Sequence, residues 1–183
     1  MARATKAEAE ATAARVLATA RELFVARGYA DVGLEEVAAA AGVTRGAVYH
    51  HYRSKQALFE AVLAEVQREV AEAIAAAATG DAREQLERGC RAFLAAAVAP
   101  EVRRILLVDA PAVLGWAVWR AHDAAGTRLL AEGVAAAGLA PAFTPLLNGA
   151  LNEAALWIAA APDREAALDQ AWSAFQKMLP RGT

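Results

Sequence analysis

Cysteine is almost missing from this chain. Cys90 stands alone among 183 residues, which excludes an intrachain disulfide framework and any multi-cysteine metal site. The reducing cytoplasm is the compartment to expect. Strand-type alternation of β-branched and aromatic residues is also nearly absent, aromatics making up only 7% of the chain, so a sheet-built domain is excluded. No run of 18 uninterrupted apolar residues occurs, although 57% of residues are apolar, and no transmembrane helix or membrane partner is expected. The opening MARATKAEAEATAARVL lacks the continuous apolar core of a secretion signal. No sign of charge dominates either: 19 Lys and Arg face 21 Asp and Glu, a net −2. Composition alone does not mark a polycation that binds nucleic acid.

What fills the chain is alanine, 53 residues of it, with leucine, arginine and glutamate. These are strong helix formers, and the expected fold is all-α with about nine helices. Glycine and proline punctuate the pattern. A first helix runs from about 7 to 27, with Val16, Leu17, Ala20, Leu23 and Phe24 on one face, and Gly28 ends it. Ser54 stands as the N-cap of a long helix reaching about 78, and Asp81 as the cap of another reaching about 99. Residues 1–60 carry eight basic against seven acidic side chains, and residues 61–183 carry eleven against fourteen. The excess at the front is small but points toward a polyanion.

Residues 34–52, LEEVAAAAGVTRGAVYHHY, carry the sharpest signal. Leu34, Val37, Ala38 and Ala41 share one face of a short helix, and Gly42 supplies the left-handed residue that ends it. Thr44 caps a second short helix in which Ala47 and Val48 pack back while Tyr49 and His50 project. This is the layout of a helix-turn-helix. Thr44, Arg45, Gly46, Ala47, Tyr49, His50 and Lys55 are the candidate DNA contacts, Gly46 and Ala47 because small residues let the backbone approach. His50 and His51 point about 100° apart on a helix, so no metal site is expected from them. His51 is expected beneath the turn, and Phe24 and Tyr52 in the core of the head.

From residue 12 to 63 the chain resembles the DNA-binding region of the tetracycline-repressor (TetR) family. The matching features are Leu23, Phe24, Arg27, Gly28 and Tyr29 at the end of the first helix, Ala38, the turn Ala41-Gly42-Val43, the run Gly46 to Tyr52, and Ser54-Lys55 with Leu58 and Phe59. The resemblance implies a head, residues 1–55, of three helices that binds double-stranded operator DNA. It also implies a body, residues 56–183, that dimerises and binds a small effector, the whole acting as a ligand-responsive repressor on a palindromic operator. One departure is visible. Members of the family usually carry Ser or Thr where this chain has Gly33 and Leu34; Gly33 can still cap the helix through its backbone freedom, but the hydroxyl's phosphate contact is not supplied. A helical ligand-binding bundle that has lost DNA function is the rival reading.

The body is less readable. All four tryptophans lie in it. Trp116, Trp119 and Asp123 fall on one helical face, and such a stripe is either packed core or the wall of a cavity. Trp116, Trp119, Asp109, Asn152 and Trp157 are taken as the candidate ligand site, for an apolar or aromatic effector. Two wide apolar faces follow, one with Leu146, Leu147, Ala150, Leu151, Ala154 and Ala155, the other with Leu168, Ala171, Trp172, Phe175, Met178 and Leu179. Leu147, Leu151, Ala154, Trp172 and Phe175 are taken as the homodimer interface, in the manner of a four-helix bundle. Cys90 is expected to be buried and inert. There is no Ser-His-Asp set, no paired carboxylates in a pocket-like context and no Gly-rich phosphate loop, so neither catalysis nor a cofactor is expected.

Overall fold

The computed structural model describes residues 6–179. Among these residues there is no strand. The helices are α1 (Lys6–Arg27), α2 (Leu34–Ala40), α3 (Arg45–Tyr52), α4 (Lys55–Ala77), α5 (Ala82–Ala97), α6 (Pro100–Arg103), α7 (Ala110–Leu114), α8 (Trp116–His122), α9 (Ala124–Ala136), α10 (Phe143–Ala160) and α11 (Arg164–Met178). A π-helical turn, Arg104–Asp109, joins α6 to α7 without a break. The described residues therefore form ten helical rods where about nine were expected.

Local chemistry sets the ends. Gly28 stops α1 at φ +86 and Gly42 turns α2 into α3 at φ +64. The Ser54 hydroxyl accepts from Ala57 N at 3.0 Å. Asp81 and Glu84 form a complete capping box at the start of α5. The π turn has a cause in Pro111. That residue has no N–H for the Leu107 carbonyl, and its ring would press on that oxygen in a regular helix. The wider turn takes up the misfit, with Ala110 N bonding back to Ile105 O.

Helices α1 to α3 pack on the first turns of α4. Phe24 and Phe59 meet edge to face, ring centroids 5.2 Å apart, with Val16, Val37, Val48 and Val62 fully buried around them. Tyr52, half-buried, donates to Ala13 O at 2.9 Å and ties α3 to α1. The same α4 then continues into the body, where Val66, Val70 and Ile74 pack against α5 and α9. One helix thus serves both parts of the molecule. No helix of the described residues is long and apolar enough to cross a membrane.

Candidate DNA-binding surface and body cavity

The turn between α2 and α3 is closed by backbone bonds from Ala41 N to Val37 O, 2.9 Å, and from Val43 N to Ala38 O, 2.9 Å. Leu34, Val37, Ala38 and Ala41 are all buried on the expected face. Thr44 caps α3, its hydroxyl accepting from Ala47 N at 3.2 Å. Val48 anchors α3 in the core, while Arg45, Gly46, Tyr49 and His50 face outward and Ala47 is half-buried. A Cβ on Gly46 would meet nothing closer than Thr44 Oγ1 at 3.8 Å. Packing within the chain does not require glycine there; its smallness matters only to something outside.

The side chains of this surface are engaged with one another. Arg45 pairs with Glu35 at 2.7 Å and donates to the Tyr49 hydroxyl at 3.2 Å, its guanidinium 5.2 Å from the ring centre. Lys55, at the first position of α4, lies over the Tyr29 ring at 4.2 Å and donates to Ala30 O at 3.3 Å. Tyr49, Ser54 and Lys55 border one shallow groove with Gly33 and Arg53. Among the described residues Arg53 is the only non-glycine at positive φ, +59, a strained conformation of the kind found at functional turns. Sequence reasoning had counted Arg53 only as a charge. At Gly33 the backbone is ordinary, φ −99 and ψ 153, with no side-chain cap on α2.

Of the five candidate ligand residues, Trp116, Trp119 and Asn152 line one half-open cavity of about 340 Å³, and the other two lie outside it. Trp116 is exposed and stacks on buried Trp119 at 4.7 Å, and the Trp119 indole donates to Leu106 O at 2.9 Å. Trp157 lies on the exposed face of α10. Asp109 sits at the seam between head and body, accepting from Tyr29 N at 2.9 Å and pairing with Arg104 at 3.8 Å. Both contacts hold it between the end of α1 and the π turn.

A second half-open cavity, of about 240 Å³, just below the usual range for ligand pockets, lies among α4, α5, α9 and α10. Ile74, Leu86, Phe93, Leu130 and Leu151 give it apolar walls, and Asp123, Thr127 and Asn148 form its polar side. These belong to one hydrogen-bonded ladder. Asn152 donates to Asn148 Oδ1, Asn148 donates to Thr127 Oγ1 at 2.9 Å, and Thr127 donates to Asp123 Oδ2 at 3.2 Å. Burial pushes the Asp123 carboxyl above the usual carboxylate range. The sequence had the signal: Asp123, Thr127 and Leu130 recur on one helical face, beside Gly126 and Gly133, which thin the wall. Cys90, 3% exposed, also lines the cavity, and burial raises its thiol to about 12.

Of the residues expected at the dimer interface, Leu147, Leu151 and Phe175 are buried in the chain's own core, where they close the bundle between α5, α10 and α11. Ala154 is half-buried, and so is Trp172, which stacks on Phe175 at 5.7 Å. What α10 shows to solvent is the opposite face, with Leu146, Leu156 and Trp157, and α11 adds Met178.

Comparison with known proteins agrees along the whole chain. Residues 16–62 match the family model described as bacterial regulatory proteins, tetR family, and residues 83–181 match the tetracyclin repressor-like C-terminal domain. The crystal structure of a TetR-family transcriptional regulator from Pectobacterium atrosepticum superposes with a TM-score of 0.79 at 38% identity, over 96% of each chain. The transcriptional regulator SrpR of Pseudomonas putida is 52% identical over 67 residues, 37% of this chain and 32% of its own length. The transcriptional repressor BepR of Brucella suis is 43% identical over 61 residues, 33% of this chain and 29% of its own length. The chain thus matches about a third of the length of these two relatives. With its second family model spanning more than half of it and its nearly full-length likeness to a solved member, this chain belongs to the TetR family of bacterial regulatory proteins.

Proposed function

We propose that this protein is a transcriptional repressor that binds a palindromic operator as a homodimer and releases it when a small effector fills the cavity of the body. One observation carries the reading: α3 is anchored by Val48 and capped by Thr44, so that Arg45, Tyr49 and His50 stand out on a helix whose Gly46 leaves room for a close surface. Such a helix suits a major groove. Thr44, Gly46, Ala47 and Lys55 complete the contact surface, Lys55 beside the groove with Ser54 and Arg53. The head extends to about residue 55, and the body follows from there. The exposed face of α10 and α11 pairs with its copy about a two-fold axis, because a single short helix binds weakly and two half-sites act together. The cytoplasm is the working compartment, and no catalytic role is assigned.

The route from cavity to head runs through the π turn. Arg104 donates to Arg27 O at 2.8 Å, Asp109 accepts from Tyr29 N, and His122 of α8 meets Glu60 of α4 at 3.0 Å. A ligand that shifts α8 or α9 therefore moves the end of α1 and changes the separation of the heads. The test is selection of duplexes from a random-sequence pool, followed by anisotropy titration of the selected DNA. Two-fold symmetric half-sites about 34–36 Å apart are expected. Binding without sequence preference at moderate salt would sink the reading and favour a bundle that has lost its DNA function.

A further inference from the structure

We propose that the cavity takes an apolar amine, its ammonium group seated between Asp123 and Gln67 with the hydrocarbon body among Ile74, Leu86, Phe93 and Leu130. This rests on the reading of the cavity as the effector site. The carboxylates that border the cavity are Asp123 and Glu132, and no lysine or arginine lines it. A small void adjoins the cavity at Ile74, Phe93, Asp123 and Gly126, and Gln67 forms its far wall. Gln67 is 8% exposed, and both polar atoms of its amide are buried without a hydrogen-bond partner. Such a group is costly unless something meets it.

The ladder indicates what that something is. Every donor in it points the same way, from Asn152 through Asn148 and Thr127, and the last hydroxyl ends on the Asp123 carboxylate. The chain of bonds holds the ionised form in place but supplies no positive charge. Of the nearby cations, Arg120 acts on Asp123 only through space and lies over the Trp116 ring at 5.8 Å, and His122, which also borders the void, meets Glu60. An ammonium group compensates the carboxylate and donates to the Gln67 carbonyl at once. A carboxylate ligand would face two like charges. A neutral alcohol would satisfy Gln67 but leave Asp123 without a cation in contact. Burial of Asp123 already disfavours its charged form, which an incoming cation relieves.

The experiment is calorimetric titration of the full chain at neutral pH with octylammonium, octanol and octanoate, which share one hydrocarbon chain. Octylammonium is expected to bind one per chain at least tenfold tighter than octanol, with no octanoate binding. Asp123→Asn, nearly isosteric, is expected to remove the preference and leave octanol unchanged. Gln67→Met, which keeps the volume, is expected to weaken octylammonium several-fold and octanol as well, since both bond the amide, while the preference for the amine that Asp123 sets persists, and it serves if the first variant does not fold. Equal or tighter binding of octanol or octanoate overturns the proposal while leaving the cavity a ligand site. Failure of all three to bind overturns both. Octylammonium binding that depends on Asp123 but leaves selected DNA bound upholds the amine seat and sinks the regulatory reading.

Discussion

Arg104 lies directly across Gly28. A Cβ on Gly28 would come within 2.7 Å of the Arg104 Cζ and Nε atoms, and Gly28 holds φ +86 besides. The arginine donates to the last carbonyls of α1, Ala26 O at 3.4 Å and Arg27 O at 2.8 Å. Gly28→Ala should therefore cost about 1–3 kcal/mol in urea unfolding. Part of that cost is displacement of Arg104, so the same change in an Arg104→Ala background should cost less. Strict additivity in the double-mutant cycle would deny the clasp.

The recognition helix should be partly self-inhibited. Glu35→Gln releases Arg45 from its 2.7 Å ion pair and should raise affinity for all duplexes and steepen the salt dependence by about 1. Arg45→Ala and Tyr49→Ala should each lose roughly 1–3 kcal/mol of discrimination between selected and random DNA. If Glu35→Gln leaves the salt slope unchanged, the pair does not persist in solution.

Gly33 is a vacant cap. Its φ is negative, and a Cβ there would meet only Glu35 Oε2 at 3.6 Å. Gly33→Ser should stabilise the chain by about 0.5–1 kcal/mol through the cap and the stiffer unfolded chain, and should strengthen DNA binding by one added phosphate contact. A loss of stability in thermal melts would show the turn to be tighter than its geometry implies.

The two faces of α10 should respond in opposite ways. Leu156→Glu on the exposed face should leave the fold intact and yield monomers in sedimentation. Leu151→Glu, on the buried face, should cost more than about 3 kcal/mol and unfold the chain. A Leu156→Glu protein that stays dimeric would move the interface elsewhere.

Cys90 should resist thiol reagents at pH 8 until the protein unfolds. Its thiol titrates near 12 when folded against about 8.5 in an open chain. The raised value means that its contribution to stability is complete below about pH 8.5 and is lost as pH rises toward 12. In a Cys90→Ala variant the decline over that window should be shallower by up to about 1.4 kcal/mol per pH unit.

The helix-turn-helix was legible because its determinants are local. Thr44 caps three residues on, Gly42 turns in place, and Val37, Ala38 and Val48 report their burial by spacing. The body was less so, because α10 carries large apolar side chains on more than one face: Leu146 and Leu147 look equivalent in the sequence, and only the packing of α5 and α11 decides that Leu147 turns inward. Gly28 could be read as a helix stop, but its second reason, Arg104, lies far along the chain. Trp119 stands out for its size, while the cavity is lined in part by Gly126 and Gly133, whose only mark in the sequence is their place beside Asp123, Thr127 and Leu130.

The wall that α9 gives to the cavity, AAGTRLLAEGVAA, has five alanines and two glycines in thirteen residues. At thirteen residues with two glycines, such a wall is marginal as a helix by itself and leans on what packs against it. A ligand there does the work of missing core side chains, a piece of hydrophobic interior supplied from outside. At a hundredfold excess over its dissociation constant it adds about 2.7 kcal/mol to folding, enough to alter turnover by proteases several-fold. The effector of such a regulator would thus govern how much of the protein exists as well as where it sits.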